Sequence, residues 1–170
     1  MIVRYPGGRL VFGKRTYVMG ILNVTPDSFS DGGEWIDAER AVRRARAMVR
    51  EGADLVDVGG ESTRPGSRSV PAVEEIRRVV PVVERLSAEK ILVSVDTSKA
   101  AVAREAFRAG AKILNDVTAL RGDPAMAREA ARAGVAVILM HMKGTPRTMQ
   151  KNPAYDDVVA EISRFFGEIL

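Results

Sequence analysis

Cysteine is absent from the 170-residue sequence, and histidine occurs once, as His141. The lack of cysteine excludes a disulfide framework and a thiolate metal site, so nothing in the composition indicates secretion. Long apolar runs are also absent, since the longest, residues 135–140, is far shorter than the roughly 20 residues of a membrane-spanning helix. Residues 1–12 contain two arginines and no sustained apolar stretch, unlike a signal peptide. We therefore expect a soluble cytoplasmic protein with no membrane partner.

Positive charge exceeds negative charge, and the formal net charge is +4. The arginines are spread over predicted helices and are not interleaved with aromatic residues, as they would be on a surface that binds nucleic acid. We interpret the charge as an arginine-rich surface and expect no nucleic-acid partner. A modest positive field would also suit anionic small substrates.

A recurring pattern indicates the fold class: a helix, then a glycine, then a short apolar run. Gly52, Gly110 and Gly134 each separate an amphipathic segment from such a run. Glycine just past a helix end adopts the left-handed cap conformation, and a buried parallel strand reads as a continuous apolar run. The pattern predicts a parallel α/β sheet of strand–helix units. Strands are predicted at residues 17–22, 55–58, 91–95, 113–115 and 135–140, and helices at 38–50, 72–86, 99–109, 125–133 and 156–170.

Local signals refine these boundaries. Ser98 is predicted to cap the helix that follows it, and Asp123 is predicted as an N-cap with Pro124 at the first helical position. A short hairpin is expected ahead of the sheet, in which residues 10–11 pair with the first strand across a turn at residues 13–14.

Loops of unequal length point to one functional edge. The loops at residues 23–35, 59–70 and 141–154 follow strands and are long and rich in Gly, Pro, Ser, Thr and Asp, whereas the turns after helices are short. Polar residues also end the strands, namely Asn23, Asp96, Asn115 and His141. The carboxyl ends of parallel strands form the active site both in a barrel and in an open doubly wound sheet. The sequence therefore predicts a site at this edge in either architecture.

Two of these loops carry extended motifs. Residues 19–33 read Met-Gly-Ile-Leu-Asn-Val-Thr-Pro-Asp-Ser-Phe-Ser-Asp-Gly-Gly, and residues 57–67 read Asp-Val-Gly-Gly-Glu-Ser-Thr-Arg-Pro-Gly-Ser. Both resemble the signature loops of dihydropteroate synthases. Shorter stretches at residues 94–97, 113–117 and 139–146 follow in that family's order, so the resemblance covers essentially the whole chain. Two long motifs in register are far more specific than one short motif.

The resemblance implies a parallel (βα)8 TIM barrel, of which residues 1–170, a single partial domain, supply about the first five strand–helix units. It implies a transferase of folate biosynthesis that condenses 6-hydroxymethyl-7,8-dihydropterin diphosphate with p-aminobenzoate to give dihydropteroate and diphosphate. It also implies a Mg²⁺ cofactor and a homodimer when complete. Because a closed barrel needs about 250 residues, we expect a fragment that lacks the family's later motifs and has little activity alone.

Two strand-end side chains suit a pterin by their chemistry. The aminopyrimidinone edge of a pterin presents adjacent donors and an acceptor, which a carboxylate and a primary amide complement. Asp96 and Asn115 carry these groups, and the resemblance implies that both bind the pterin ring. The structural alternatives are a helix N-cap for Asp96, for which Ser98 is better placed, and a turn-stabilising amide for Asn115.

The resemblance implies a diphosphate site beside the pterin. Asn23 would contact the Mg²⁺ carried by the diphosphate, since an amide oxygen is a suitable ligand for this ion. Ser62, Thr63 and Arg64 would bind the diphosphate oxygens through hydroxyl groups and a fork-shaped cation. Arg64 is also predicted to be catalytic, together with Asp96 and Asp31.

The first loop and the second loop would together form the p-aminobenzoate pocket. The resemblance implies that Pro65 and Phe29 shape this pocket. Asp31 and Asp27 are expected near the pterin carbon that becomes positively charged. Met140 is expected either to pack against the pterin or to belong to the core.

Two other functions stay open. A pterin-dependent methyltransferase domain shares the barrel and the strand-end Asp/Asn pair, although a methyl donor carries no diphosphate for the two loops. A non-catalytic pterin-binding or assembly module is favoured if these residues are the entire protein. His141 is interpreted as structural, because a lone histidine usually is. Lys143 and Arg147 are not expected to replace the family's later basic residues.

Overall fold

The computed structural model describes residues 1–25, 34–62, 69–145, 148–150 and 152–169, and for residues 34–37 it describes the backbone only. The strands are β1 (Ile2–Tyr5), β2 (Gly8–Val11), β3 (Met19–Asn23), β4 (Leu55–Gly59), β5 (Val93–Asp96), β6 (Ile113–Asp116) and β7 (Ala136–Leu139). The helices are α1 (Glu34–Arg50), α2 (Ala72–Ala88), α3 (Ala100–Ala109), α4 (Met126–Ala133) and α5 (Val158–Ile169). Every predicted strand and helix is confirmed, with boundaries that differ by a few residues.

The main sheet is parallel and its strands follow chain order, β3-β4-β5-β6-β7. Helices α1 to α4 pack each against the next, so they form one layer on one face of the sheet. A doubly wound sheet would instead reverse its strand order at a switch point and carry helices on both faces. The unreversed order therefore favours the barrel over the doubly wound alternative.

The core lies between this sheet and its helices. Val56 and Val58 point from β4 into the helical layer and are fully buried among Val79, Val83 and Leu86 of α2. The opposite face of the sheet carries the alternating residues of each strand. There Ile21 of β3 is 63% exposed, as expected for an interior face that the described strands do not close into a barrel.

The glycine turns adopt the predicted conformation. Gly110 ends α3 with a φ of 115° and Gly134 ends α4 with a φ of 64°, and both backbone N–H groups donate to carbonyls of the last helical turn. This left-handed region costs glycine little because it has no Cβ. Each helix therefore returns to the next strand within a short turn.

The predicted hairpin is wrong in its pairing. β2 pairs with β1, antiparallel, with Ile2 opposite Val11, and neither is part of the main sheet. The turn lies at Pro6-Gly7, where Gly7 has a φ of 87°. Leu10 of β2 packs against Leu55, Ile113 and Ala136, the first residues of three sheet strands. The hairpin thus covers the amino-terminal edge of the sheet, opposite the predicted site.

The predicted caps are also partly wrong. The backbone N–H of Ala100 at the start of α3 donates to Asp123 Oδ2 at 2.9 Å, and Thr97 Oγ1 accepts from the N–H of Lys99 at 3.2 Å, so Ser98 is not the cap. Asp123 Oδ1 accepts from Ala125 at 2.9 Å, but α4 begins after Pro124 and not with it. One carboxylate therefore serves two helix starts, a tertiary contact that local propensity does not encode.

Within the described ranges, no helix is both long enough and apolar enough to cross a membrane.

Candidate active site

A row of polar groups lies across the carboxyl ends of four neighbouring strands. Asn23 of β3 is in register with Gly59 of β4, Gly59 with Asp96 of β5, and Asp96 with Asn115 of β6. Adjacent strands lie about 4.8 Å apart, so these side chains are close neighbours on the interior face. The expected convergence of Asn23, Asp96 and Asn115 at one edge is therefore observed.

Gly59 keeps the centre of this row open. A Cβ at this position would lie 3.5 Å from Asp96 Oδ2 and 3.7 Å from Asn23 Oδ1. Both are ordinary contact distances, so any side chain here would occupy the space between the amide and the carboxylate. Glycine therefore leaves the space between the two groups free of a side chain.

Asp96 is a partly buried carboxyl group with a perturbed pKa. Burial, and after it the negative charge of the nearby carboxylates, raises the pKa of Asp96 to about 7; these carboxylates belong to Asp57, Glu75, Asp116 and Glu61. Its Oδ1 is buried and has no hydrogen-bond partner in the described part of the chain. A ligand that offers N–H donors would satisfy this oxygen and stabilise the ionised form.

Asn115 is held by a carboxylate that the sequence analysis did not assign. Asn115 Nδ2 donates to Asp57 Oδ2 at 2.8 Å, which directs the amide nitrogen towards β4. Asp57 is only 3% exposed, and burial raises its pKa although Ser94 and Asn115 act in the opposite direction. Ser94 Oγ approaches the carboxylate without completing a hydrogen bond, and Asp57 Oδ1 is buried without a partner among the described residues.

The role of Asp57 had a signal in the sequence. It is the one charged residue in an otherwise apolar, fully buried strand, and it precedes Gly59 by two positions. Residues two apart in a strand face the same side. A carboxylate two positions before a strand-end glycine could therefore have been placed just below the polar row.

The remaining predicted residues are only partly described. Phe29, Asp31, Asp27, Thr63, Arg64 and Pro65 lie outside the described residues, so their roles stay predictions. Ser62 is described, half-buried, three residues beyond the end of β4. Met140 follows β7 directly and is half-buried, outside the buried core.

His141 lies in an aromatic cluster. Its ring is 4.7 Å from the ring of Phe165 on α5, edge-on, and 5.8 Å from that of Tyr155. Such packing explains the histidine without a chemical role and agrees with its structural interpretation.

A magnesium ion would find only a sparse protein site. Among the described residues there is no group of three or more His, Asp or Glu side chains placed to hold a metal. Asn23 nevertheless has an amide oxygen at the open centre of the row. Mg²⁺ commonly takes one or two protein ligands and completes its shell with water and substrate phosphates, so this donor fits an ion that arrives with a diphosphate.

Comparison with known proteins identifies relatives of this arrangement. A family model described as pterin binding enzyme matches residues 19–170. Dihydropteroate synthase of Escherichia coli K12 is 52% identical over 153 residues, which is 89% of this chain and 54% of that protein. Dihydropteroate synthase of Synechocystis is 46% identical over 165 residues, 95% of this chain and 57% of that protein. The chain thus spans about half the length of these curated relatives.

Solved structures agree with the sequence relatives. Yersinia pestis dihydropteroate synthase, in complex with a sulfonamide drug, has a TM-score of 0.89 and 49% identity, covering 99% of this chain and 61% of that one. The enzyme of Xanthomonas albilineans with 4-aminobenzoic acid has a TM-score of 0.81 and 53% identity, with 92% and 55% covered. That of Burkholderia cenocepacia, complexed with 7,8-dihydropteroate, has a TM-score of 0.84 and 41% identity, with 99% and 56% covered.

The five parallel strands in chain order and the single layer of helices thus belong to a chain that superposes on enzymes of known fold. The expected partial TIM barrel is confirmed. The chain belongs to the pterin-binding enzyme family, and the relatives it matches are dihydropteroate synthases.

Proposed function

We propose that these residues belong to a dihydropteroate synthase, which condenses 6-hydroxymethyl-7,8-dihydropterin diphosphate with p-aminobenzoate and releases diphosphate. The observation that carries this proposal is the row in which Asp96, with a buried oxygen that lacks a partner, stands beside Asn115. The names of the relatives, and the 4-aminobenzoic acid and 7,8-dihydropteroate bound to two of them, support the choice of substrates.

The pterin would bind through its aminopyrimidinone edge. The Asp96 carboxylate accepts hydrogen bonds from the ring N–H and the exocyclic amino group, and such charge-assisted bonds are the strong ones. Asn115 has one amide hydrogen engaged with Asp57, so its amide oxygen is left to accept from the ring. Together the two side chains orient the pterin so that its methylene carbon points along the polar row towards Asn23.

The reaction then needs no protein nucleophile. The carbon–oxygen bond to the diphosphate breaks and leaves a cationic methylene carbon, the nitrogen of p-aminobenzoate bonds to that carbon, and the attacking amine gives its proton to the departing diphosphate. Positioning of the two substrates and stabilisation of the departing charge provide the catalysis. The proposed reaction therefore requires no chemical role for His141.

The diphosphate would lie at the exits of β3 and β4. Of the residues predicted to bind the diphosphate or its metal, Asn23 and Ser62 are described and lie at these exits, and Thr63 and Arg64 follow in the sequence. A bound Mg²⁺ would neutralise charge on the leaving diphosphate, with Asn23 as its protein ligand. Arg64 would pair with the same phosphate oxygens by its planar fork.

The p-aminobenzoate pocket and the quaternary structure are further parts of this proposal. Phe29 and Pro65 would border the aromatic acid, Asp31 would lie near the cationic carbon, and Met140 would pack against the pterin. The complete protein would be a cytoplasmic homodimer. These assignments rest on the resemblance of the two loops to those of the family.

A coupled assay of diphosphate release tests the proposal. The product of the complete reading frame should release diphosphate only with both substrates and Mg²⁺. Residues 1–170 alone should release essentially none, because an open barrel cannot exclude water from a cationic intermediate. Adding a separately expressed carboxyl-terminal part should restore release. Pterin binding without diphosphate release by the complete product would favour the methyltransferase or the non-catalytic module.

A further inference from the structure

A partly buried charge cluster lies beside the polar row, outside the residues so far assigned to the reaction. Lys99 Nζ contacts Glu61 Oε2 and also lies 2.6 Å from Glu75 Oε2. The Glu75 side chain is 1% exposed, whereas those of Lys99 and Glu61 are each 24% exposed. One lysine therefore bridges a carboxylate on α2 and a carboxylate just beyond β4.

The main chain beside Glu61 is pressed against α2. A Cβ on Gly60 would lie 2.8 Å from Val79 Cγ2 and 2.9 Å from Glu75 Cγ, so no side chain fits there. Arg78 Nη1 donates to the Gly60 carbonyl at 3.1 Å. The exit of β4, defined here as residues Gly59–Ser62, is thus fixed to α2 by close packing, by Arg78 and by the Lys99 bridge.

Lys99 also belongs to the turn that carries Asp96. It lies three positions beyond Asp96, and Thr97 Oγ1 accepts from its backbone N–H at 3.2 Å. The N–H of Thr97 in turn donates to the carbonyl of Asn115 at 3.1 Å. Lys99 therefore connects the end of β5, which carries Asp96, to the exit of β4, which leads into Ser62.

The charges around this cluster make the cation difficult to replace. Burial lowers the pKa of Lys99, but its hydrogen bonds to Glu61 and Glu75 raise it more, so the amine stays protonated. The structure shows the ammonium of Lys99 at Glu75 Oε2. The other oxygen, Oε1, has no hydrogen-bond partner among the described residues. Removing one partner of a buried pair leaves an uncompensated charge and is strongly destabilising.

We propose that Lys99 is a positioning residue, which through Glu61 holds the exit of β4 at the distance from Asp96 that a pterin diphosphate requires. This assignment rests on the proposed function and adds a residue to it. Lys99 itself contacts neither substrate. Its loss should therefore affect ligands that extend from Asp96 to the exit of β4 more than ligands that contact Asp96 alone.

The decisive variant is Glu61→Gln, because it removes the ion pair at the strand exit and leaves Lys99 paired with the buried Glu75. We expect the complete protein with this change to lose about tenfold in affinity for the pterin diphosphate, measured by calorimetry with Mg²⁺. Affinity for 6-hydroxymethylpterin, which lacks the diphosphate, should stay within about twofold. Lys99→Arg, with Glu61 unchanged, should keep both affinities, since its fork can reach the two carboxylates. Glu84→Gln, an exposed change of the same chemistry on α2, is the matched control and should change neither.

Different outcomes have different consequences. If Glu61→Gln lowers the affinity for both ligands equally and also lowers the melting temperature, the cluster only stabilises the fold and the assignment is overturned. Unchanged affinity for the pterin diphosphate would overturn it as well. If the unmodified complete protein binds neither ligand, the proposed function fails, and the assignment fails with it.

Discussion

Asn115 and Asp57 are joined by a 2.8 Å hydrogen bond between a side-chain amide and a buried carboxylate, 58 positions apart in the sequence. The bond links β6 to β4 across the intervening strand β5, just below Asp96. In the proposed site this bond would turn the amide oxygen towards the ligand, because one hydrogen of the amide nitrogen is already engaged. The proposed pterin specificity would thus depend on Asp57, which contacts no ligand in that proposal.

The orienting role of Asp57 can be separated from its charge. Asp57→Asn keeps an acceptor oxygen for Asn115 and should bind 6-hydroxymethylpterin almost as well as the unmodified protein. Asp57→Leu removes the acceptor and should weaken binding by roughly 1 to 1.5 kcal/mol, the usual worth of one such hydrogen bond. Calorimetric titration of both variants measures the difference. Equal binding by the two variants would show that Asn115 needs no fixed orientation.

Asp96 should be the main determinant of pterin affinity. Asp96→Asn replaces a charged acceptor with an amide and should cost about 1.5–3 kcal/mol of binding free energy or more. Asp156→Asn, an exposed change of the same chemistry before α5, is the control and should have no effect. Calorimetry with a pterin analogue is the measurement. Unchanged affinity in Asp96→Asn would remove this residue from the site.

The raised pKa of Asp96 makes a prediction for stability against pH. Because its pKa is about 7 in the folded protein and ordinary when unfolded, the folded state holds a proton that the unfolded state has lost between these values. The contribution of Asp96 to the free energy of unfolding should therefore fall as the pH rises from about 4 to about 7 and then level off. Urea unfolding across this pH range should show that the free energy of unfolding falls less in Asp96→Asn than in the unmodified protein. Parallel curves would place the pKa of Asp96 near its usual value.

Asn23 should act on the diphosphate and not on the ring. Asn23→Ala should weaken Mg²⁺-dependent binding of the pterin diphosphate, because an amide oxygen beside the metal is lost. Binding of 6-hydroxymethylpterin should be spared. Titrations with each ligand, with and without Mg²⁺, compare the two. An equal loss of affinity for both ligands would mean that Asn23 supports the first loop and is not a metal ligand.

Alanine at Gly60 should lower the stability of the fold, whereas alanine at the adjacent Gly59 should affect the polar row and leave stability nearly unchanged. In Gly60→Ala the new Cβ would meet Val79 and Glu75 at 2.8 Å and 2.9 Å, so the free energy of unfolding should fall by about 1–3 kcal/mol. In Gly59→Ala it would meet Asp96 Oδ2 at 3.5 Å, an ordinary contact, so stability should change little while the gap in the polar row narrows. Urea unfolding and pterin titration of both variants test the contrast. A stable Gly60→Ala would show that α2 can move away from the strand exit.

The order of strands and helices was readable from the chain because it depends on local chemistry. Apolar runs of strand length must be buried on both faces, and glycine after a helix adopts a conformation that other residues avoid. Gly110 and Gly134 have this conformation, and the strands follow them as predicted. The edge at which the candidate site lies was equally predictable, since parallel strands place Asn23, Asp96 and Asn115 at the same end.

The errors concern contacts between distant parts of the chain. The hairpin partner of β2 was missed because the choice between β1 and β3 depends on which pairing lets Leu10 cover the start of the sheet. Ser98 was a reasonable cap by residue type, but Asp123 reaches Ala100 from another unit. Local propensity could not decide either case, because both alternatives satisfy the same backbone groups.

The sequence by itself determined the family, the parallel strand–helix architecture and the strand-end residues that suit a pterin. Only the tertiary structure decided what surrounds them. Three features depend on interactions between different strand–helix units. They are the raised pKa of Asp96, the hydrogen bond that orients Asn115 towards Asp57, and the bridge from Lys99 to Glu61. Burial and charge–charge interactions depend on distances through space, and these exist only once the sheet has formed and brought its strand ends into one row.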